Sequence, residues 1–368
     1  MTRALLRPVA RSVRAAAAHA SGAAAYVAGS SAGRARVSYG QRVPGESDVA
    51  VGGIVKLQHL AHVYPEAGPR FNMLYLVTSR LPPASIVRAE WARRKGARLV
   101  LNQNGVAYPG WHGPGWARVN AEMTALLARA DHVFYQSEFC RMCADHFAGP
   151  PRGPWEILYN AVDTSHFTPV HKSEGRPLTL LVGGSQDQWY RLESAVRALG
   201  ILVRGGTDTE LLITGRLRWI PDMVAARQQA DELISKLGLT GRVLFLGPYA
   251  QAEAPAIFRR ADIVLHTKYN DPCPTTVIEA LSCGRPVVYS KSGGVPELVG
   301  DTAGIGVEAE LSWEREIAPD PAALADGVTR VKRALATFSS AARARAIERF
   351  DVRHWLDRHR AVFERLCG

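Results

Sequence analysis

Long apolar runs are missing from this sequence. No stretch of eighteen or more apolar residues occurs, so no segment is expected to cross a membrane as a helix. Cysteine is scarce. Five in 368 residues is an odd number and gives no disulfide framework, so a reducing, cytoplasmic setting is the expectation. Acidic residues are absent before Glu46, and residues 1–35 are rich in Ala, Arg and Ser. The stretch AAAAHASGAAAYVAG is too interrupted to be the apolar core of a secretory signal. This segment is expected to be a disordered basic arm outside the fold. Paired Cys/His fingers and aromatic-basic RNA signatures are also absent, which argues against nucleic acid as a partner. Cys140 and Cys143 form a lone C-x-x-C with His146 three residues on, but no second ligand pair accompanies them. Their segment, SEFCRMCADHF, is expected to be a helix with small buried residues rather than a metal site.

What is present is an ordinary globular balance, with 47% hydrophobic and 21% charged residues, and a net charge of +11 carried almost entirely by arginine. That charge suits phosphate groups, an acidic glycan or peripheral contact with an anionic membrane face. The length accommodates two domains. From residue 36 short apolar runs alternate with amphipathic stretches, as in FNMLYLVTS, PASIVRAEWARRKG and ARLVLNQNG. This alternation predicts βαβ units and a parallel sheet. The polar segment Thr164–Pro177 predicts a linker, after which PLTLLVGG, TELLITG, VLFLGP, IVLHTK and PVVYS repeat the pattern. The expected organisation is an N-terminal Rossmann-like domain over 36–169, a C-terminal one over 170–336 facing it across a cleft, and C-terminal helices over 337–368 packing back towards the first.

The stretch NDPCPTTVIEALSCGRPVVYSKSGGVPELVG (Asn270–Gly300) carries the chemistry. Pro272 and Pro274 hold the chain extended before a helix beginning near Thr275. Such a start exposes the amides of Thr275, Thr276 and Val277 at the positive end of the dipole, which suits a diphosphate. Glu279 lies one turn further in, within reach of a ribose. Asp271, just before the helix, is placed to hold sugar hydroxyls.

This stretch resembles retaining glycosyltransferase family 4, with the GT-B fold. Its hallmark is two acids eight positions apart, here Asp271 and Glu279, followed by a small-residue helix and a glycine-proline turn. The resemblance implies a donor-sugar contact for Asp271 and a ribose contact for Glu279. The family usually has Glu at the first position, so Asp271 is a departure. SGGVPELV matches a glycine-glycine-x-proline-glutamate segment, implying that backbone at Gly293 and Gly294 approaches the donor. Gly52 and Gly53 resemble an N-terminal loop facing the donor phosphates. After the first C-terminal strand the family places an Arg and a Lys; here Gly184 precedes Ser185 in the Arg place, and Arg191 takes the Lys place as diphosphate ligand. Arg216 after ITG is a second candidate. The family's His near the reacting carbon is replaced by Asn102, Gln103 and Asn104, and His112 follows in a Gly/Trp loop. Asn104 and His112 are therefore candidate catalytic residues beside Asp271.

The resemblance implies a glycosyltransferase that uses a nucleotide diphosphate sugar as co-substrate, retains configuration, and needs no metal or other cofactor. No D-x-D pair of the metal-dependent type is present. The acceptor class is a glycan, a lipid-linked sugar or a small molecule. Two other readings stay open: a non-catalytic sugar- or partner-binding protein on a decayed scaffold, and an epimerase or phosphorylase of the same fold.

Overall fold

The computed structural model describes residues 33–45, 52–170 and 175–368. The expected basic arm lies, but for its last three residues, outside them. The chain forms two compact units. One comprises residues up to Tyr159 together with Arg353–Gly368, and the other Asn160–Val352.

The first unit runs β1 (Val37–Ser38), α1 (Gly52–Val63), β2 (Met73–Val77), α2 (Ser85–Arg94), β3 (Arg98–Gln103), α3 (Pro109–His112), α4 (Trp116–Leu127), β4 (His132–Tyr135), α5 (Glu138–Phe147) and β5 (Trp155–Ile157). Its sheet is parallel throughout, in the order β1-β2-β3-β4-β5. The inner strands read as continuous apolar runs because both faces are covered: all of Met73–Val77 and His132–Tyr135 is buried.

The second unit runs β6 (Leu178–Val182), α6 (Trp189–Arg204), β7 (Thr209–Thr214), α7 (Met223–Lys236), β8 (Val243–Gly247), α8 (Ala254–Arg260), β9 (Ile263–His266), α9 (Thr275–Ser282), β10 (Val287–Lys291), α10 (Val295–Val299), β11 (Gly304–Glu308), α11 (Pro321–Arg333) and α12 (Leu335–Phe350). Its six parallel strands lie in the order β11-β10-β9-β6-β7-β8. The chain winds outward from β6 to β8, then restarts at β9 on the other side of β6. The order reverses between β6 and β9, and in a doubly wound sheet the carboxyl ends of the strands at such a switch form the ligand crevice. Leu180, Val182, Ile263 and Leu265 form the core beneath that point, with Leu192, Ala195 and Leu199 of α6 against them.

The final helix, α13 (Val352–Cys367), belongs to the first unit except for Val352. The C-terminal helices therefore divide, since α12 packs on α9 in the second unit. His359 fixes α13 in place. Its Nδ1 bonds the Trp355 carbonyl at 2.8 Å, so Nδ1 carries the proton, and Nε2 accepts from the Tyr75 hydroxyl at 2.9 Å. Phe363 stacks edge-on against Tyr64 and Tyr75.

The polar stretch read as a linker is held down along Thr164–Thr168. Arg259 donates to the carbonyls of His166 and Thr168, and Arg343 to those of Thr164 and Phe167. A connector rich in backbone acceptors is fixed by guanidinium forks from α8 and α12.

Candidate functional site

Strand β6 ends in Gly183 and Gly184, and β9 ends in His266, on either side of the switch in strand order. Gly184 takes φ +79°, and a Cβ there would sit 3.7 Å from Thr276 Cγ2, so this turn lies against the start of α9. Its amide donates to Thr214 Oγ1 at 3.1 Å and its carbonyl accepts from Gln186 Nε2 at 2.7 Å. Pro274 is the N-cap of α9 and has no side chain to cap it. The amide of Val277 does not stay free as the sequence suggested. It donates to the Pro274 carbonyl at 3.1 Å, tightening the first turn. Thr275 and Thr276 keep their amides at the positive end of the helix, beside the β6 glycines.

Glu279 is 4% exposed on α9. Gln251 Nε2 donates to its Oε1 at 3.1 Å, and Tyr249 lies close by. Burial pushes its carboxyl up to about 7, against the pull of the Gln251 hydrogen bond. A carboxylate placed here is under-solvated and accepts hydroxyl donors strongly. Neither Gln251 nor Tyr249 stood out in the sequence. The only available signal was their position in a short run after β8.

Asp271 anchors a second cluster. Lys268 Nζ approaches its Oδ2 at 3.1 Å, and His266 Nε2 stands 3.6 Å away, beyond hydrogen-bonding distance. Burial would raise this carboxyl, but Lys268, His266 and Arg191 together outweigh it and hold it below the usual range. Arg191 is 4% exposed. Its Nη1 donates to the Ser185 carbonyl, and Thr267 Oγ1 donates to its own carbonyl at 2.7 Å. After burial, the strongest field on its guanidinium comes from Asp271, then Tyr190, Asp187 and Glu316. Burial pushes Glu316 up to about 7 despite Lys268 and Arg191, and pushes His266 down to about 4. The side-chain atoms Gln186 Oε1, Gln188 Oε1, Arg191 Nε, His266 Nε2, Asn270 Oδ1 and Glu316 Oε1 are all buried with no hydrogen-bond partner among the described residues. Buried polar atoms without partners are rare in folded proteins, and Arg191 Nε, His266 Nε2 and Asn270 Oδ1 among these belong to residues beside Asp271. Tyr190 and Glu316 lay outside the sequence pattern because only folding brings them to this cluster, whereas Lys268 and His266, three and five residues before Asp271, were local and passed over.

The loop Ser292–Gly294 grips this cluster from behind. Asn270, at φ +50°, donates its amide to Ser292 Oγ at 2.9 Å, and the Gly294 amide donates to the Asp271 carbonyl at 2.9 Å. Gly293 has φ +65°, and a Cβ there would fall 2.4 Å from the Asp271 carbonyl oxygen. The glycine pair is thus required by contact with the backbone of Asp271. Gly293→Ala should lose about 1–3 kcal/mol in a denaturant melt and displace Asp271 with it. A melt within about 0.5 kcal/mol of the parent would contradict this packing. Arg216 is exposed just past β7. Its carbonyl accepts from the Gln186 amide at 2.9 Å, so its backbone braces the β6 turn while its side chain faces solvent.

In the first unit Gly52 and Gly53 form the opening turn of α1. A Cβ on Gly53 would lie 2.5 Å from Ser79 Oγ and 2.8 Å from Arg80 Cγ, so a larger residue there must displace those side chains. Asn104 follows β3. Its Oδ1 accepts from Lys56 Nζ at 3.3 Å, and the same ammonium donates to Asn102 Oδ1 at 2.8 Å and Gln136 Oε1 at 3.0 Å. This buried lysine, on the apolar face of α1, was not singled out in the sequence. His112 is exposed at the end of α3 next to Trp111 and shares no hydrogen bond with Asn104. Cys140 and Cys143 are buried on α5 while His146 is exposed, and burial pushes the Cys143 thiol up to about 12. The described residues contain no group of three or more metal-ligating side chains.

Comparison with known proteins gives this geometry a context. Residues 164–331 match the family model described as glycosyl transferases group 1. The chain is 34% identical over 259 residues to D-inositol 3-phosphate glycosyltransferase of Mycobacterium leprae, covering 69% of this chain and 56% of that protein. It is 28% identical over 190 residues to the protein of the same name from Mycolicibacterium vanbaalenii, covering 48% and 40%. The chain therefore spans only about half the length of these curated relatives. Among solved structures it resembles Anabaena HepE in complex with UDP and glucose, with a TM-score of 0.64 and 20% identity over 80% of this chain and 78% of that one. It also resembles sucrose-phosphate synthase from Thermosynechococcus elongatus, with a TM-score of 0.62 and 17% identity over 86% and 77%. These likenesses establish the fold: an α/β protein with two parallel sheets of the GT-B kind.

Proposed function

With residues 164–331 taken as a glycosyl transferases group 1 domain, we propose that this chain transfers a sugar from a nucleotide diphosphate donor to a hydroxyl acceptor, with retention of configuration and without a metal ion. The observation that carries this reading is the uncapped start of α9 lying between Gly184 and the buried Glu279, with the partnerless Arg191 Nε, His266 Nε2 and Asn270 Oδ1 beside Asp271.

In this reading the amides of Thr275 and Thr276 take the diphosphate, Glu279 accepts the ribose hydroxyls, and Asp271 holds sugar hydroxyls. Transfer forms a bond from the acceptor oxygen to the anomeric carbon and breaks the bond from that carbon to the phosphate oxygen. The acceptor proton passes to the departing diphosphate on the same face. Charge then builds on the diphosphate, where Arg191 and the helix start stabilise it most in the transition state. The uracil base is taken from the HepE complexes with UDP. A phosphorylated polyol acceptor follows the names of the curated relatives. The +11 charge favours such an anionic acceptor, or one presented at an anionic membrane face. No helix among the described residues is long and apolar enough to cross a membrane.

A thermal-shift panel of UDP, GDP, ADP and their sugars, followed by a transfer assay, tests the proposal. UDP at a hundred times its Kd should stabilise by about 2.7 kcal/mol. Arg191→Gln should lower transfer roughly tenfold or more, and chelator should leave the rate unchanged. Absence of any nucleotide-dependent shift would favour the non-catalytic reading. Loss of transfer on chelation, restored by a divalent ion, would remove the metal-free mechanism.

A further inference from the structure

The first unit contains a cavity of about 640 Å³ at the open edge of its sheet, beside β1. That volume falls in the range of small-molecule sites. Its walls are mostly apolar, built from Val43, Phe71, Leu74 and Trp91. None of Lys56, Asn102 or Asn104 lines it, so within the first unit it is separate from their polar cluster.

Two guanidinium groups enter this apolar space, Arg42 and Arg88. Arg88 is half-buried, and among the described residues its one hydrogen bond runs from Nε to the Pro83 carbonyl at 3.1 Å. Among the described residues it makes no ion pair, and burial weakens its hold on the proton. Arg42 is exposed at the rim and makes neither hydrogen bond nor ion pair with any described residue. One carboxylate, Glu66, also lines the cavity, but its oxygens are engaged by backbone: Oε2 accepts from the Tyr39 amide at 2.9 Å and Oε1 from the Gly68 amide at 3.2 Å. Its field reaches Arg88 without closing on it. Among the described lining residues the balance is two cations against one satisfied anion in a largely apolar space. A guanidinium with unused donors in such surroundings binds a carboxylate or phosphate well, because little water competes for it.

We propose that this cavity is a second ligand site, for a single small amphipathic anion: an apolar body seated against Phe71, Leu74 and Trp91, with a phosphate or carboxylate head on Arg88 and Arg42. The cavity's size suits one molecule taken from solution rather than a bilayer surface. The site does not depend on the transfer reading and would hold whether or not the chain is an enzyme.

Isothermal titration of the full chain with octyl phosphate, octanol and inorganic phosphate tests it, with anilinonaphthalene sulfonate as a fluorescent competitor. Octyl phosphate should bind and displace the dye, while octanol and inorganic phosphate each bind roughly tenfold or more weakly. Arg88→Gln should weaken octyl phosphate roughly tenfold or more, and Ala61→Trp, which fills the cavity, should abolish binding. Arg42→Gln alters an exposed side chain and keeps the test decisive should either of the other variants fail to fold. It should weaken binding a few-fold with an unchanged melt. Equal binding of octanol and octyl phosphate would overturn the site, as would affinity untouched by all three substitutions. Binding only to vesicles containing phosphatidic acid, with none to monomeric octyl phosphate, would replace it with a membrane surface.

Discussion

Glu279→Gln is expected to make the ligand-free protein more stable at pH 8 while lowering transfer by about a hundredfold. The two effects have one cause. Burial holds the Glu279 carboxyl at about 7 in the folded chain, against about 4.5 for an ordinary glutamate. Folded protein then binds more protons than unfolded protein between those values, so stability falls as pH rises through this window and stays reduced above it. The gap corresponds to about 3–4 kcal/mol, an upper figure that removing the charge would partly recover. An amide in its place leaves a weaker acceptor for the ribose hydroxyls, hence the loss in transfer. Chemical melts at pH 5 and pH 8, paired with transfer kinetics, check both halves. If the variant loses stability at pH 8, the buried-charge account fails. If stability rises but transfer is unchanged, the ribose role fails and the structural account survives.

Mild acid is expected to weaken the first unit selectively. His359 is buried as a neutral ring, and burial drives it down to about 3. Its unfolded value is about 6.5, so the unfolded chain binds the extra proton as pH drops below that value, and the stability present above it is progressively lost. At pH 5 the loss is about 2 kcal/mol, or roughly 4–8 °C in the unfolding midpoint. The second unit contains His266, lowered to about 4, which acts in the same direction. Glu279 and Glu316, both raised to about 7, act in the opposite one, because they take up protons in the folded state as pH falls from 7 to 5. The carboxyls offset the histidine there, and among the described residues of the first unit nothing comparable offsets His359. Hydrogen exchange at pH 7.5 and pH 5 should show the loss of protection concentrated in β2, β4 and α13. His359→Gln should start lower but lose much of the pH dependence. Equal loss in both units would contradict this balance.

These residues also show how far the sequence could be read. The strand-helix alternation placed the two parallel sheets, because period and punctuation are local properties of the chain. The start of α9 was legible from Pro274 and the spacing of Asp271 and Glu279, both local signals. Val277 was misjudged because a tight first turn depends on backbone geometry rather than on residue type. Lys268 and Glu316 lie 48 positions apart, and nothing in their immediate neighbours predicts that Glu316 feels both Lys268 and Arg191. Lys56 was hidden for another reason. It stands among Ile54, Val55 and Leu57, where a lysine reads as an interruption of the apolar face until Asn102 and Gln136 arrive to hold its ammonium. Electrostatic sites of this kind are tertiary and leave no periodic mark.

The course of α13 has a consequence for biosynthesis. The first unit is assembled from the opening part of the chain and the helix Val352–Cys367, with the entire second unit made in between. Tyr75, Phe134 and Tyr64 lack their His359 and Phe363 partners until α13 leaves the ribosome. The N-terminal part of the first unit therefore emerges before the helix that completes it, and its unfinished apolar surface is exposed to aggregation while the second unit is being made.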